Sequence, residues 1–148
     1  MLNELMKKIF SRNGRPSILL GKKILVIEDG ELERRFITRT LEKKGCVVMG
    51  TADGETGVQM AQSESPDLIL LDYMMPGIDG REVCLRIKSD GTTKAIPIIF
   101  LTGSVSPRNV IDCYEAGAEY YLAKPIDAKT LTHQVELTLQ YKEEDLSE

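Results

Sequence analysis

The sequence predicts an α/β domain, an open parallel sheet wound on both faces by helices. Three observations predict it. Short apolar runs recur along the chain as Ile24-Leu25-Val26-Ile27, Leu68-Ile69-Leu70-Leu71, Ile98-Ile99-Phe100-Leu101 and Tyr120-Tyr121-Leu122-Ala123. Unbroken runs bounded by turn residues suit strands buried on both faces. Stretches with helical spacing separate the runs, and that alternation argues for βαβ units with right-handed crossovers.

Each element has its own signal. Strands are expected over 23–27, 47–51, 68–72, 98–102 and 118–122, and helices over 31–44, 54–64, 80–88, 107–116 and 127–141. Gly45 and Gly117 stand where the first and fourth of these helices need a C-cap. Pro107 stands where the fourth should begin, with its fixed φ and missing donor at no cost there. Asp53 and Asp127 are N-cap candidates. Asp79-Gly80 reads as a turn opening the third helix. Asp67 precedes its strand, which points it to the opposite sheet edge and gives it a structural role.

The chemistry sits at the strand ends. Ligands of open α/β sheets bind outside the carboxyl ends of the strands. The first strand ends in Glu28-Asp29, the third in Asp72, the fourth in Thr102-Gly103-Ser104 and the fifth in Lys124-Pro125. Three carboxylates at one edge repel one another, by about 4 kcal/mol per pair at ~4 Å and an effective dielectric of about 20. A proton or a cation must relieve them. An all-oxygen set with an open face suits Mg²⁺, which keeps several waters and favours phosphate oxygens. Lys124 would add a positive charge and Thr102 a hydrogen bond. The set suits a phosphoryl group, whose transfer needs positioning and charge neutralisation. Asp72 can itself be the nucleophile, giving an aspartyl phosphate.

The motifs Val26-Ile27-Glu28-Asp29, Leu70-Leu71-Asp72-Tyr73-Met74-Met75-Pro76-Gly77-Ile78-Asp79-Gly80, Leu101-Thr102-Gly103 and Tyr121-Leu122-Ala123-Lys124-Pro125 follow in order. Together they resemble the receiver domain of two-component response regulators, similar to the single-domain chemotaxis type, over about 22–142. The resemblance implies a flavodoxin-like (βα)5 fold with strand order 2-1-3-4-5. It implies Asp72 as phosphoacceptor. It gives Mg²⁺ bound by Asp29 directly, by Glu28 largely through water, by Asp72, and by the backbone carbonyl of Tyr73. Thr102 would be the switch hydroxyl and Tyr121 the aromatic that follows it. Lys124 would contact the phosphoryl group, with a cis bond to Pro125. The implied partners are a sensor histidine kinase or phosphotransfer protein and a downstream protein target. Gly30 and Met74 depart from the common pattern. Met74, two places after Asp72, should hinder water at the site.

At 148 residues the chain is long enough for one domain with a sizeable core. Cys46, Cys84 and Cys113 are scattered without metal spacing and read as buried free thiols. No apolar run approaches the ~18 residues of a membrane span, and 1–10 lacks a secretory signal pattern, which points to a cytoplasmic protein. His133 reads as a helix-surface residue. A net charge of −4 and no basic stripe with interleaved aromatics disfavour direct nucleic-acid binding.

Residues 1–21 lie outside the resemblance. Leu2, Leu5, Met6, Ile9 and Phe10 mark one apolar helix face, and Asn13-Gly14-Arg15-Pro16 a break. Six basic residues against Glu4 give 1–23 a net charge of +5, beside −9 for the rest. The face is expected against protein, its own domain before a partner or a second copy, with a membrane surface as the remaining reading. A helix this short needs one of those surfaces. Residues 143–148 read as a charged tail, and with no second domain following, output is expected through contacts with another protein. Two rival readings differ in kind. A haloacid dehalogenase-like phosphatase would need an acid where Met74 stands. A phosphorylation-independent scaffold would not need the whole set of Glu28, Asp29, Asp72, Thr102 and Lys124. The reading is of a signalling module and not an enzyme.

Overall fold

Four of the five strands have the expected bounds: β1 (Lys23–Ile27), β2 (Val47–Thr51), β3 (Leu68–Asp72) and β4 (Ile98–Thr102). The structure, a computed structural model, describes residues 2–10 and 17–147. The break expected over 13–16 lies outside them, as do the side chains of Leu2, Asn3, Lys7, Lys8 and Ser147. The fifth strand, β5, is Tyr120–Ala123 and starts two residues later than expected. Residues 117–118 close the preceding helix instead, with Gly117 N donating to Tyr114 O and Ala118 N to Cys113 O.

The helices are α1 (Leu2–Ile9), α2 (Glu31–Glu42), α3 (Gly54–Glu64), α4 (Gly80–Ser89), α5 (Pro107–Glu115) and α6 (Ala128–Ser147). Asp53 caps α3, and Asp127 accepts from Thr130 N at 3.0 Å at the start of α6. Gly45 (φ +97°) and Gly117 (φ +102°) follow α2 and α5 in the left-handed conformation that only glycine adopts without strain. Helix α6 continues six residues past Tyr141, so the stretch expected as a charged tail is helical through Ser147. Lys, Glu and Asp can extend a helix with no apolar stripe to follow. Lys22 Nζ also holds Glu143 Oε1 at 3.0 Å.

The strands form one parallel sheet in the order β2-β1-β3-β4-β5. Alternate strand residues feed two cores. Leu25, Ile27, Ile69, Leu71, Ile98 and Phe100 pack with Val83, Cys84, Ile87 and Cys113 from α4 and α5. Ile24, Val26, Leu68, Leu70, Ile99 and Leu101 pack on the other face with Ile37 and Leu41 of α2 and Leu131, Val135 and Leu139 of α6. Each such side chain stabilises the fold by about 1.5–3 kcal/mol on burial. The three cysteines are buried free thiols, and burial pushes Cys46 and Cys84 up to about 12 and Cys113 to about 11. Among the described residues no helix is long and apolar enough to cross a membrane.

The amphipathic α1 forms, and within this chain its described face is only partly covered. Leu5 is 53% exposed and Met6 46%, while Ile9 and Phe10 are half-buried. The one described tie from its end to the rest of the chain is Ser17 N donating to Ile9 O at 2.7 Å.

Candidate functional site

Parallel pairing sets the ends of β1, β3, β4 and β5 at one sheet edge. Ile27 is level with Leu71, Asp72 with Leu101, and Thr102 with Ala123. The residues that follow β1 and β5 are Glu28-Asp29 and Lys124. Glu28 and Asp72 are buried and Asp29 is exposed. One carboxylate oxygen from each can be chosen so that all three lie within 4.8 Å of one another. Asp67, by contrast, accepts from Lys23 N at 2.7 Å at the amino edge, as its structural reading requires.

Lys124 joins two of the acids. Its Nζ lies 2.7 Å from Glu28 Oε1 and 3.1 Å from Asp72 Oδ1. Burial opposes its charge, but the bonds to Glu28 and Asp72 outweigh it and hold the ammonium above its ordinary range. One cation does not balance three acids. Desolvation, followed by the carboxylates of Glu28 and Asp29, pushes Asp72 up to about 8. Asp29 is held below its ordinary value, chiefly by its hydrogen bond with Asp72, so one proton is shared toward Asp72. Glu28 Oε1 is buried, with the Lys124 ammonium 2.7 Å away. A buried carboxylate, a neighbour that holds a proton and an exposed third acid form an all-oxygen set that would suit a hard divalent cation.

Backbone groups complete the edge. Gly30 N donates to Glu28 Oε2 at 3.3 Å, and Met74 N to Asp72 Oδ1 at 3.3 Å. Arg34 Nη1 donates to the Glu28 carbonyl at 2.8 Å and so fixes the loop that carries two acids. Gly80 N donates to Tyr73 O at 3.0 Å. A Cβ at Gly80 would collide with the Asp72 carbonyl and approach Tyr73 Cα to 2.8 Å, so α4 can start this close only with glycine there. Met74 stands on the rim, 70% exposed.

Thr102 is buried beside the acids, but its hydroxyl is turned to the following loop. It donates to Ser104 O at 2.9 Å and accepts from Ser104 N at 3.1 Å. Tyr121 is half-buried, stacked on Tyr120 with ring centroids 5.7 Å apart and edge-on to Tyr114 at 6.2 Å. The Lys124–Pro125 bond is cis. His133 is exposed on α6, away from this set.

The sequence reading missed a groove beside Lys124. Leu32, Phe36, Pro125 and Ile126, with Lys124, line a concavity of about 520 Å³. Its signal was present: Leu32 and Phe36 are an i, i+4 pair out of phase with the core pair Ile37 and Leu41. Arg34 and Gly80 carried no comparable signal.

Residues 24–136 match the family model for the response regulator receiver domain. Protein PilH of Pseudomonas aeruginosa is 34% identical over 117 residues, which cover 79% of this chain and 97% of PilH. Response regulator PleD of Caulobacter vibrioides is 37% identical over 83% of this chain, which spans only 27% of PleD. Among solved structures, chemotaxis protein CheY4 of Vibrio cholerae superposes with a TM-score of 0.75 at 30% identity, over 78% of this chain and 96% of CheY4. The receiver domain of sensor histidine kinase PA1611 of Pseudomonas aeruginosa, with a magnesium ion coordinated in its active site cleft, gives 0.76 at 30% identity over 81% and 98%. With the sheet order, the acid edge and the matched span in agreement, the chain belongs to the response regulator receiver domain family.

Proposed function

We propose that this chain accepts a phosphoryl group on Asp72 from a histidine kinase or phosphotransfer protein, and signals through protein contacts that depend on it. The observation that carries this reading is the meeting of Glu28, Asp29, Asp72 and Lys124 at one sheet edge, with Asp72 the acid most in need of a compensating cation. In the transfer a carboxylate oxygen of Asp72 forms the bond to phosphorus. The P–N bond to the donor imidazole breaks, and that nitrogen leaves with its electron pair. Asp72 must be ionised to do this, so the proton it holds has to go first.

Glu28, Asp29, Asp72 and the Tyr73 carbonyl are the groups that would hold Mg²⁺. The ion would supply charge neutralisation for the phosphoryl oxygens. Lys124 is placed to leave its partner oxygen on Asp72 for a phosphoryl oxygen. The Thr102 hydroxyl would do the same, at the cost of its two bonds to Ser104. Gly30 N and Met74 N orient Glu28 and Asp72. The apolar groove beside Lys124 offers a donor protein a surface next to the acceptor. The absence of an acid at Met74 disfavours the phosphatase reading.

The test uses acetyl phosphate and Mg²⁺ with intact-mass readout, since the chain has no tryptophan to report by fluorescence. Wild type is expected to gain one phosphoryl group and Asp72→Asn none. An equal adduct on the variant would remove Asp72 from the role.

A further inference from the structure

Strand β2 is one lateral edge of the sheet and pairs with β1 alone. Val47 N donates to Lys22 O at 2.8 Å, and Thr51 O accepts from Glu28 N at 3.0 Å. In a parallel ladder that starts and ends so, the backbone groups of Val47, Met49 and Thr51 face β1. The N–H and C=O of Val48 and Gly50 then face away from the sheet, and no described group bonds them there. Soluble proteins blunt such an edge with lysine, proline or a bulge. Here the strand is Val47-Val48-Met49-Gly50-Thr51, without charge or proline. Its register with β1 runs unbroken from Lys23 and Val47 to Ile27 and Thr51, and Val47 is 53% exposed. An unguarded edge is a template for one more strand.

The side chains beside this edge say what kind of strand. Arg34, Arg35, Thr38, Arg39 and Glu42 of α2 line a concavity of about 360 Å³ together with Gly50. Glycine leaves the notch open, since a Cβ at position 50 would lie 3.3 Å from Arg34 Cδ. Arg34 is held by the Glu28 carbonyl, and Arg35 by Glu31 at 3.1 Å. Among the described residues the Arg39 guanidinium and the Thr38 hydroxyl have no side-chain partner, and Glu42 makes no ion pair with Arg39. The unused donors of the notch are therefore Arg39, Thr38 and the Gly50 N–H, and a carboxylate satisfies them. We infer that the lateral edge of β2 docks an extended, acidic segment of another protein. Its backbone pairs with Val48 and Gly50, and one of its carboxylates meets Arg39. A second copy fits less well, because a two-fold axis that pairs β2 with β2 also sets the arginines of two α2 helices side by side. A small anion would use Arg39 and leave the carbonyls of Val48 and Gly50 unanswered. The added strand runs alongside the sheet and leaves the acid edge, at the strand ends, open.

Amide hydrogen exchange of the full chain, read by NMR, tests this. The probe is a short end-blocked peptide of alternating valine and glutamate, whose acids all fall on one face of a strand. A peptide with lysine in place of glutamate is the control. At saturation the glutamate peptide should slow exchange of the Val48 and Gly50 amides by about fivefold or more. The lysine peptide should bind about tenfold more weakly, and Arg39→Glu should reverse that preference, which a merely structural loss would not do. Arg39→Glu should keep the wild-type melting temperature and take up phosphate from acetyl phosphate unchanged, since its side chain is exposed and outside the acid set. If the variant melts early, the two peptides on wild type still decide the matter. Val48 and Gly50 amides that exchange alike with and without the glutamate peptide overturn the inference. So does equal binding of both peptides by wild type. Protection that rises with protein concentration and needs no peptide assigns the edge to a second copy instead. An equal response to inorganic phosphate reduces the notch to an anion site.

Discussion

Burial first, and then the carboxylates of Glu28 and Asp29, push the Asp72 carboxyl up to about 8, and this has a measurable pH signature. In the unfolded chain its carboxyl ionises at the ordinary value of 3.8, and in the fold at about 8. Between the two, the folded state holds a proton that the unfolded state has lost. The corresponding stability is therefore full below the ordinary value and is lost as pH rises toward 8. Asp29, held low, works the other way and loses its contribution only in more acid solution. Without divalent cation, thermal melts should fall in temperature between mildly acid pH and pH 8. Asp72→Asn should flatten that slope and exceed wild type at pH 8 by about 1–3 kcal/mol, the usual scale of a relieved buried polar conflict. Mg²⁺ should restore wild type and leave the variant almost unmoved. A wild type whose melting temperature ignores both pH and Mg²⁺ would show that the acids are not in conflict. Asp29→Ala should abolish Mg²⁺ binding by calorimetry, since it removes the one exposed acid of the set. Retained binding in that variant would place the ion elsewhere.

Helix α4 shows how an element positions chemistry without contributing a reacting group. Its first residue, Gly80, is pressed against the Asp72 and Tyr73 backbone, and Asp79 caps it through Glu82 N at 2.9 Å. Gly80→Ala is expected to destabilise the fold by about 1–3 kcal/mol, the cost of overpacking. It should also slow phosphate uptake, because the Tyr73 carbonyl must shift. Unchanged melting and uptake would mean that α4 yields freely. At this scale the sequence was legible where burial is uniform and obscure where it is not. β1, β3 and β4 are almost wholly buried, so composition alone marks their bounds. β5 is a half-exposed edge strand, and its start is set by how α5 closes rather than by its own residues. The end of α6 was hidden because a helix that leaves the core leaves no apolar period behind. The acids, Thr102 and Lys124 were legible because parallel strands bring unlike residues to one edge. The Leu32–Phe36 groove was harder to see because it depends on which face of α2 the loop after β5 covers.

Across the molecule as a whole, a switch from the acid edge to its flank is expected through Thr102, whose hydroxyl is bonded to Ser104 and whose strand neighbour β5 carries Tyr121. Beryllofluoride with Mg²⁺ should shift amide resonances mainly in the loop after β4, α5, β5 and α6, around Tyr114, Tyr121 and Lys129. It would act by biasing two arrangements of that loop, not by building a new fold. Shifts confined to α3 and α4 would locate the switch elsewhere. The acid edge has one more property. Its groups come from positions 28, 29, 72, 102 and 124, and no two neighbouring elements in the chain can assemble it. Contacts of such separation form late and together. On the proposed function, a nascent chain that has not yet released Lys124 from the ribosome would be chemically silent, and so would any partly unfolded state that has lost β5. Phosphate uptake would then be a census of completed molecules, and a donor that encounters unfinished ones would spend no phosphate on them.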